Sequence, residues 1–250
     1  MNTLIRAEVL KLRTARSYPA VAIGAILLIV AAVAATAAAG SFKAGDHPGR
    51  DSLSLAGIAH TFALLLGVLA VTSEFRHGTI TPALLTTPKR MRLLTAKLTT
   101  LAAGALVLGL LAFGLAAAVG LPALHQRGID SQLGSNDVAA IIAGGTMATV
   151  LFAALGVGLG ALVRNQVGTV VAALVLLYAI DPLLSLLPAL GHTVQTFGLD
   201  GLSTASDATT SLSSNAHQLH ELPALLVLAS YAAGVVVLGS LAFQRRDITS

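Results

Sequence analysis

The residues best placed to do work lie in one basic, proline-marked stretch, Glu74 to Lys97, reading EFRHGTITPALLTTPKRMRLLTAK. Arg76 and His77 before Gly78 have the pattern of a last helical turn and its C-cap, since cations favour the negative end of a helix and glycine adopts the left-handed cap. Thr81 before Pro82 and Thr87 before Pro88 each read as an N-cap followed by a first-turn proline. Between these two starts, Pro82 to Thr86 makes a helix of about 7.5 Å at 1.5 Å per residue. Its apolar neighbours Ile80, Leu84 and Leu85 would dip into a headgroup layer or fill a groove on a soluble partner. The chemistry on offer is mechanical contact. Glu74 and Arg76 are two residues apart and do not face each other on a helix. Each must find its partner elsewhere: on the N-terminal helix, across a subunit interface or on another protein. Lys89, Arg90 and Arg92 by themselves read more simply as lipid-facing anchors.

Other reactive side chains are few. His60 and Asp181 are ionisable groups inside apolar runs, where such a group raises a functional hypothesis by default. For His60 the simpler account is a neutral ring bonded to a neighbouring helix. Asp181 precedes Pro182, so it reads as an N-cap at which the fifth span breaks and restarts as a short re-entrant helix through Leu187. His217 and His220, three apart before Glu221, lack a third clear ligand, and solvated loop side chains are the simpler reading. No G-x-x-x-x-G-K-[ST] loop occurs, and neither does a G-x-S-x-G elbow or a pair of membrane aspartates, so nothing supports nucleotide binding by that loop or an intramembrane protease.

The elements that must position these residues are membrane spans. Of 250 residues only 10% are charged and 55% are hydrophobic, with a mean hydropathy of +0.84, against about 25% charged in a soluble domain. Charge is absent from Ser17 to Phe42, Ser52 to Ser73, Leu98 to Gln126, Val138 to Val163 and Leu222 to Gln244, each longer than the roughly 20 residues that cross a bilayer. A sixth segment is interrupted only by Asp181. The expected spans are about 18–40, 52–75, 89–122, 138–163, 166–188 and 222–243. The pieces between them are too short to bury a core of their own, so residues 1–250 form one domain. The absence of cysteine excludes disulfides and thiolate metal sites. Gly156, Gly158 and Gly160 read as close helix packing.

The apolar run after Arg16 is too long for the roughly 7–15 residue core of a secretion signal. Residues 2–16, with Ile5, Val9 and Leu12 on one stripe, read instead as an interfacial helix leading into a retained span. With the N-terminus inside, twelve Lys and Arg fall on inner segments (residues 6–16, 76–97, 164 and 245–246), while only Lys43, Arg50 and Arg127 fall outside. That bias puts both termini in the cytoplasm. The net charge of +4 then reports topology and anionic lipid neighbours, and gives no argument for nucleic acid.

The run Glu74, Phe75, Arg76, Gly78, Thr79, followed by Thr-Pro and a basic Pro-Lys-Arg segment, resembles the membrane subunit of type-2 ATP-binding-cassette exporters. The opening LIRAEVLKLRTARS is similar to the elbow helix with which those permeases begin. The resemblance implies an all-α integral membrane fold: six transmembrane helices, an N-terminal elbow and a short cytoplasmic coupling helix between spans two and three. Carried over by position, Glu74, Arg76, Gly78 and Thr79 become a hinge, and Pro82, Leu84 and Leu85 lie on the piece that contacts a separate ATPase. It further implies two ATPase copies carrying the ATP and Mg, no cofactor in this chain, and a second permease chain, identical or paralogous. Phe62, Leu66, Leu174 and Tyr178 become pathway candidates by analogy, and residues 191–221 an outer lid. An almost uncharged pathway favours a hydrophobic or amphipathic cargo, such as a drug, antibiotic or lipid. An ion-driven secondary carrier would need paired mid-membrane charges and an internal repeat, neither of which is evident. A non-transporting immunity or scaffold protein is the remaining alternative.

Overall fold

The computed structural model describes residues 2–15, 17–43, 46–76, 90–163, 165–187, 190–209 and 219–245, and among them there are helices and no strand. In chain order the helices are α1 (Asn2–Thr14), α2 (Ser17–Ala39), α3 (Pro48–Ser54), α4 (Ile58–Arg76), α5 (Arg90–Gln126), α6 (Ser135–Leu162), α7 (Gln166–Val175), α8 (Asp181–Ser185), α9 (Gly191–Phe197), α10 (Leu199–Ser206) and α11 (Glu221–Arg245). Among the described residues, six helical stretches are long and apolar enough to cross a membrane: Tyr18–Ala39, Pro48–Arg76, Met91–Gln126, Ser135–Leu162, Gln166–Ser185 and Glu221–Gln244. The fold is thus the expected all-α, six-span membrane bundle. The coupling segment, with Gly78, Thr79, Pro82, Leu84 and Leu85, lies outside the described residues, as does His217.

Helix α6 is the axis of the bundle, packed by α4, α5 and α11. In lipid no hydrophobic force drives helices together, so small residues that admit close backbone approach decide the contacts. A Cβ on Gly156 would collide with the Leu64 carbonyl, and one on Gly67 with the Ala153 carbonyl. Gly158 meets the backbone of Val235 in α11 in the same way. The glycine stripe therefore packs α6 on both sides, as expected from sequence.

Four boundaries differ from expectation. Span two begins at Pro48, where α3 runs through a tight turn at Leu55–Gly57 into α4. Pro122 does not end span three: α5 carries it inside and reaches Gln126. At 37 residues that helix is about 55 Å long, well beyond a hydrocarbon core of about 30 Å, so both its ends project into the interface. Span five does not break at Asp181. Its backbone stays right-handed through a single widened π turn, Leu176–Ile180, which feeds directly into α8. The cause is Pro182, which supplies no N–H and crowds the carbonyl four residues back; widening one turn absorbs both without ending the helix. Finally, the described part of the segment read as an outer lid, residues 190–209, is largely helical. It folds into α9 and α10 and buries Gly201, Leu202, Ala205 and Ser206 against the bundle.

Candidate functional site

At the α1 end of the bundle four charged side chains form a closed ring. Lys11 Nζ lies 2.9 Å from Glu8 Oε1 and 3.0 Å from Glu74 Oε1. Lys97 Nζ lies 2.9 Å from Glu8 Oε2 and 2.7 Å from Glu74 Oε1. Each lysine bridges both glutamates, so α1, α4 and α5 are joined at one point. Glu8, Glu74 and Lys97 are buried, while the Lys11 side chain is 52% exposed. Lys97 also donates to the Ala70 carbonyl at 3.4 Å. Burial opposes ionisation of Glu8, but Lys97 and Lys11 override it and hold its carboxyl below the ordinary range. Burial likewise opposes the charge on Lys11, and the bonds to Glu8 and Glu74 override it, so its ammonium is held more tightly than usual. The arrangement ties three helices together at one point. Withdrawing the buried Lys97 would leave two buried carboxylates with only the half-exposed Lys11 to answer them.

Glu74, a predicted hinge residue, is thus tied within the chain, one turn before the segment 77–89. Arg76, also predicted, points elsewhere and donates to Gln166 Oε1 of α7 at 3.4 Å. Sequence reasoning missed Glu8 and Lys97, although the signal was present. Glu8 falls three after Ile5 and four before Leu12, on the apolar stripe of α1. Lys97 falls four after Leu93 and four before Leu101, both buried. A lone charge on a buried stripe demands a partner.

At the opposite end a second polar cluster lies between α4, α6 and α10. His60 Nε2 donates to the Gly145 carbonyl at 3.2 Å and lies 3.4 Å from Asp207 Oδ1, and its ring stacks on Phe152 with centroids 5.2 Å apart. The neighbouring-helix reading of His60 therefore holds. Asp207 is 2% exposed, and burial pushes its carboxyl well above the usual range. Asp181 does not cap its own helix. Its Oδ2 accepts from the backbone N–H of Asp200, in the first turn of α10, at 2.8 Å, so it caps a helix nineteen residues later. Burial, helped by the charge of Asp181, raises the carboxyl of Asp200. Arg50 of α3 donates to the Ala208 carbonyl and lies 3.5 Å from Asp137. His220 is exposed.

The pathway candidates separate. Tyr178, whose hydroxyl lies 2.7 Å from Thr61 Oγ1, borders a cavity of about 250 Å³ shared with His60 and Asp207. Leu66 borders an apolar groove of about 580 Å³ between α2 and α5. Phe62 and Leu174 are half-buried.

Residues 4–180 match the family model described as ABC-2 family transporter protein. The match takes in the whole charged ring and His60, and stops just before Asp181. None of the curated proteins matches the chain.

Proposed function

The chain belongs to the ABC-2 transporter family, a membrane component that associates with an ABC ATPase, and from that premise we propose that it is the permease subunit of an ATP-driven exporter. In this reading two copies of a separate cytoplasmic ATPase bind the ATP and Mg, and a second permease chain, identical or paralogous, completes the pathway at the interface between chains. The α1 end faces the cytoplasm of a bacterial inner membrane, as the distribution of Lys and Arg supports. Closure of the ATPase dimer pushes on Pro82, Leu84 and Leu85. Gly78 and Thr79 bend, and the push reaches Glu74 and Arg76.

The observation that carries this mechanism is the ring Glu8–Lys11–Glu74–Lys97. It ties α4 and α5, the two helices on either side of the contact segment, to each other and to α1. A displacement there moves three helices as one body, because their charges cannot separate cheaply. The nucleotide supplies the driving energy through its different affinity for the two states. Hydrophobic or amphipathic cargo follows from walls that are almost uncharged.

The test is affinity purification from the native membrane, which should bring down a nucleotide-binding polypeptide. With that partner reconstituted, Glu74→Gln and Arg76→Ala should each lower cargo-stimulated ATPase activity several-fold while the chain still inserts. Transport by the chain alone on an ion gradient would overturn the reading in favour of a secondary carrier. Loss of neither coupling nor transport in both variants would remove Glu74 and Arg76 from the mechanism.

A further inference from the structure

Beside the charged ring lies a cavity of about 440 Å³ whose wall includes Glu8, Lys11, Glu74 and Lys97. It adjoins the apolar groove of about 580 Å³, and the two share Leu12, Tyr18 and Leu101 as lining residues. The groove descends along α5 from Leu101 to Leu108, about 10 Å at 1.5 Å per residue, with Leu66 and Ala153 also among its lining residues. Val107 at its rim is 55% exposed. A polar chamber at the interfacial helix thus opens into an apolar slot inside the bilayer. That is the outline of a molecule with a polar head and a hydrocarbon tail.

The head can be specified from charge. Among the described residues of its wall, two glutamates and two lysines cancel, so these four together exert no net pull on an anion or a cation. Glu74 Oε2 is buried and has no hydrogen-bond donor among the described residues. A carboxylate oxygen in that state needs an N–H or O–H donor. Lys11 Nζ bonds two carboxylates and is half exposed, which leaves one of its three protons for an acceptor such as a phosphate. An acceptor lacking its donor beside a donor with a spare proton is complementary to a zwitterion carrying phosphate and N–H groups together. We propose that this chamber and groove bind a membrane phospholipid whose zwitterionic headgroup ends in a primary ammonium, its phosphate on Lys11, its ammonium on Glu74 and one acyl chain in the groove between α2 and α5. The lipid comes from the leaflet against which α1 lies. The assignment does not depend on transport or on an ATPase. Occupied, the site places a ligand on the ring that joins α1, α4 and α5, so the lipid steadies that joint.

The chain contains no tryptophan, so Val107→Trp is a single reporter at the rim of the groove. Val171→Trp, on the 52% exposed Val171 of α7, reports ordinary lipid contact away from it. Each full-length variant is placed in vesicles with a minor fraction of lipid brominated on the acyl chain: phosphatidylethanolamine, phosphatidylcholine or phosphatidylglycerol. At Val107→Trp the ethanolamine lipid should quench at about fivefold lower mole fraction than either other, the scale of one added hydrogen bond of ordinary net strength. Val171→Trp should show no preference. Adding Glu74→Gln to Val107→Trp should erase the advantage over the choline lipid, which carries the same charges without N–H donors. Equal quenching by all three lipids at Val107→Trp would overturn the proposal, as would the same preference at Val171→Trp. Strongest quenching by the glycerol lipid would show an anion site instead. Equal quenching by ethanolamine and choline lipids would remove the ammonium contact with Glu74. None of these outcomes bears on the permease reading, which the ATPase pull-down decides.

Discussion

The two ends of the bundle bury charge in opposite ways. At the α1 end each carboxylate meets two lysines, and the four charges sum to nothing. At the other end Asp181, Asp200 and Asp207 come together with His60, and among the described residues no lysine or arginine pairs with any of the three. Burial cost is answered by ion pairing at the first end. At the second it is answered by a backbone cap on α10 and by a carboxyl that burial makes hold its proton more tightly. A paired charge makes a joint that resists separation, because opening it strands both members. A carboxyl whose proton affinity is raised makes a joint whose strength follows the proton supply.

The sharpest break of this comparison is Lys97→Met. It leaves two buried glutamates sharing the half-exposed Lys11, and should cost about 3 kcal/mol or more, read as a fall in the thermal midpoint of the purified chain. Adding Glu8→Gln and Glu74→Gln should recover most of that loss. Failure to recover would show that lost packing, and not stranded charge, dominates.

Next in size is Gly144→Val. A Cβ there would run into the Ser206 carbonyl, so α10 must lift from α6 at about 1–3 kcal/mol. Hydrogen exchange should quicken across residues 199–209 and stay unchanged in α1. Equal quickening at both ends would show the two clusters to be one cooperative unit.

A smaller effect separates the ends by pH. The folded-state carboxyl of Asp207 is raised, so its contribution is greatest at acid pH and is lost as pH rises through that raised value. Glu8 has the opposite sign. Its lowered value gives stability that is present above its ordinary 4.5 and lost only as pH falls below it. Asp207→Asn should therefore remove the loss of thermal midpoint that accompanies a rise of pH through the raised value of Asp207. An unchanged slope in Asp207→Asn would contradict the assignment. The smallest change expected is Lys11→Ala, below about 1 kcal/mol, because its ammonium is half solvated. A loss matching that of Lys97→Met would make the two lysines equivalent.

Much of this was legible beforehand, for reasons that differ by residue. The six spans follow from charge-free runs longer than a bilayer, and the α6 packing from its glycines, since both depend on composition along one segment. Glu8 and Lys97 were legible in principle, each a lone charge on an apolar stripe. Asp207 carried no such mark. It sits in a Ser- and Thr-rich segment that reads as solvated, and only the fold shows that Leu202 beside it is fully buried. Asp181 before Pro182 has the local signature of a helix start, yet its carboxylate caps α10.

By itself, then, the sequence determined which segments live in lipid and where helices pack closely, because the bilayer and glycine act on residues near one another in the chain. The tertiary structure alone decided which buried charges meet. Glu8 finds Lys97 across 89 residues and His60 meets Asp207 across 147, and a desolvated charge accepts whichever partner the packing of helices brings within about 3 Å, a choice that no local pattern encodes.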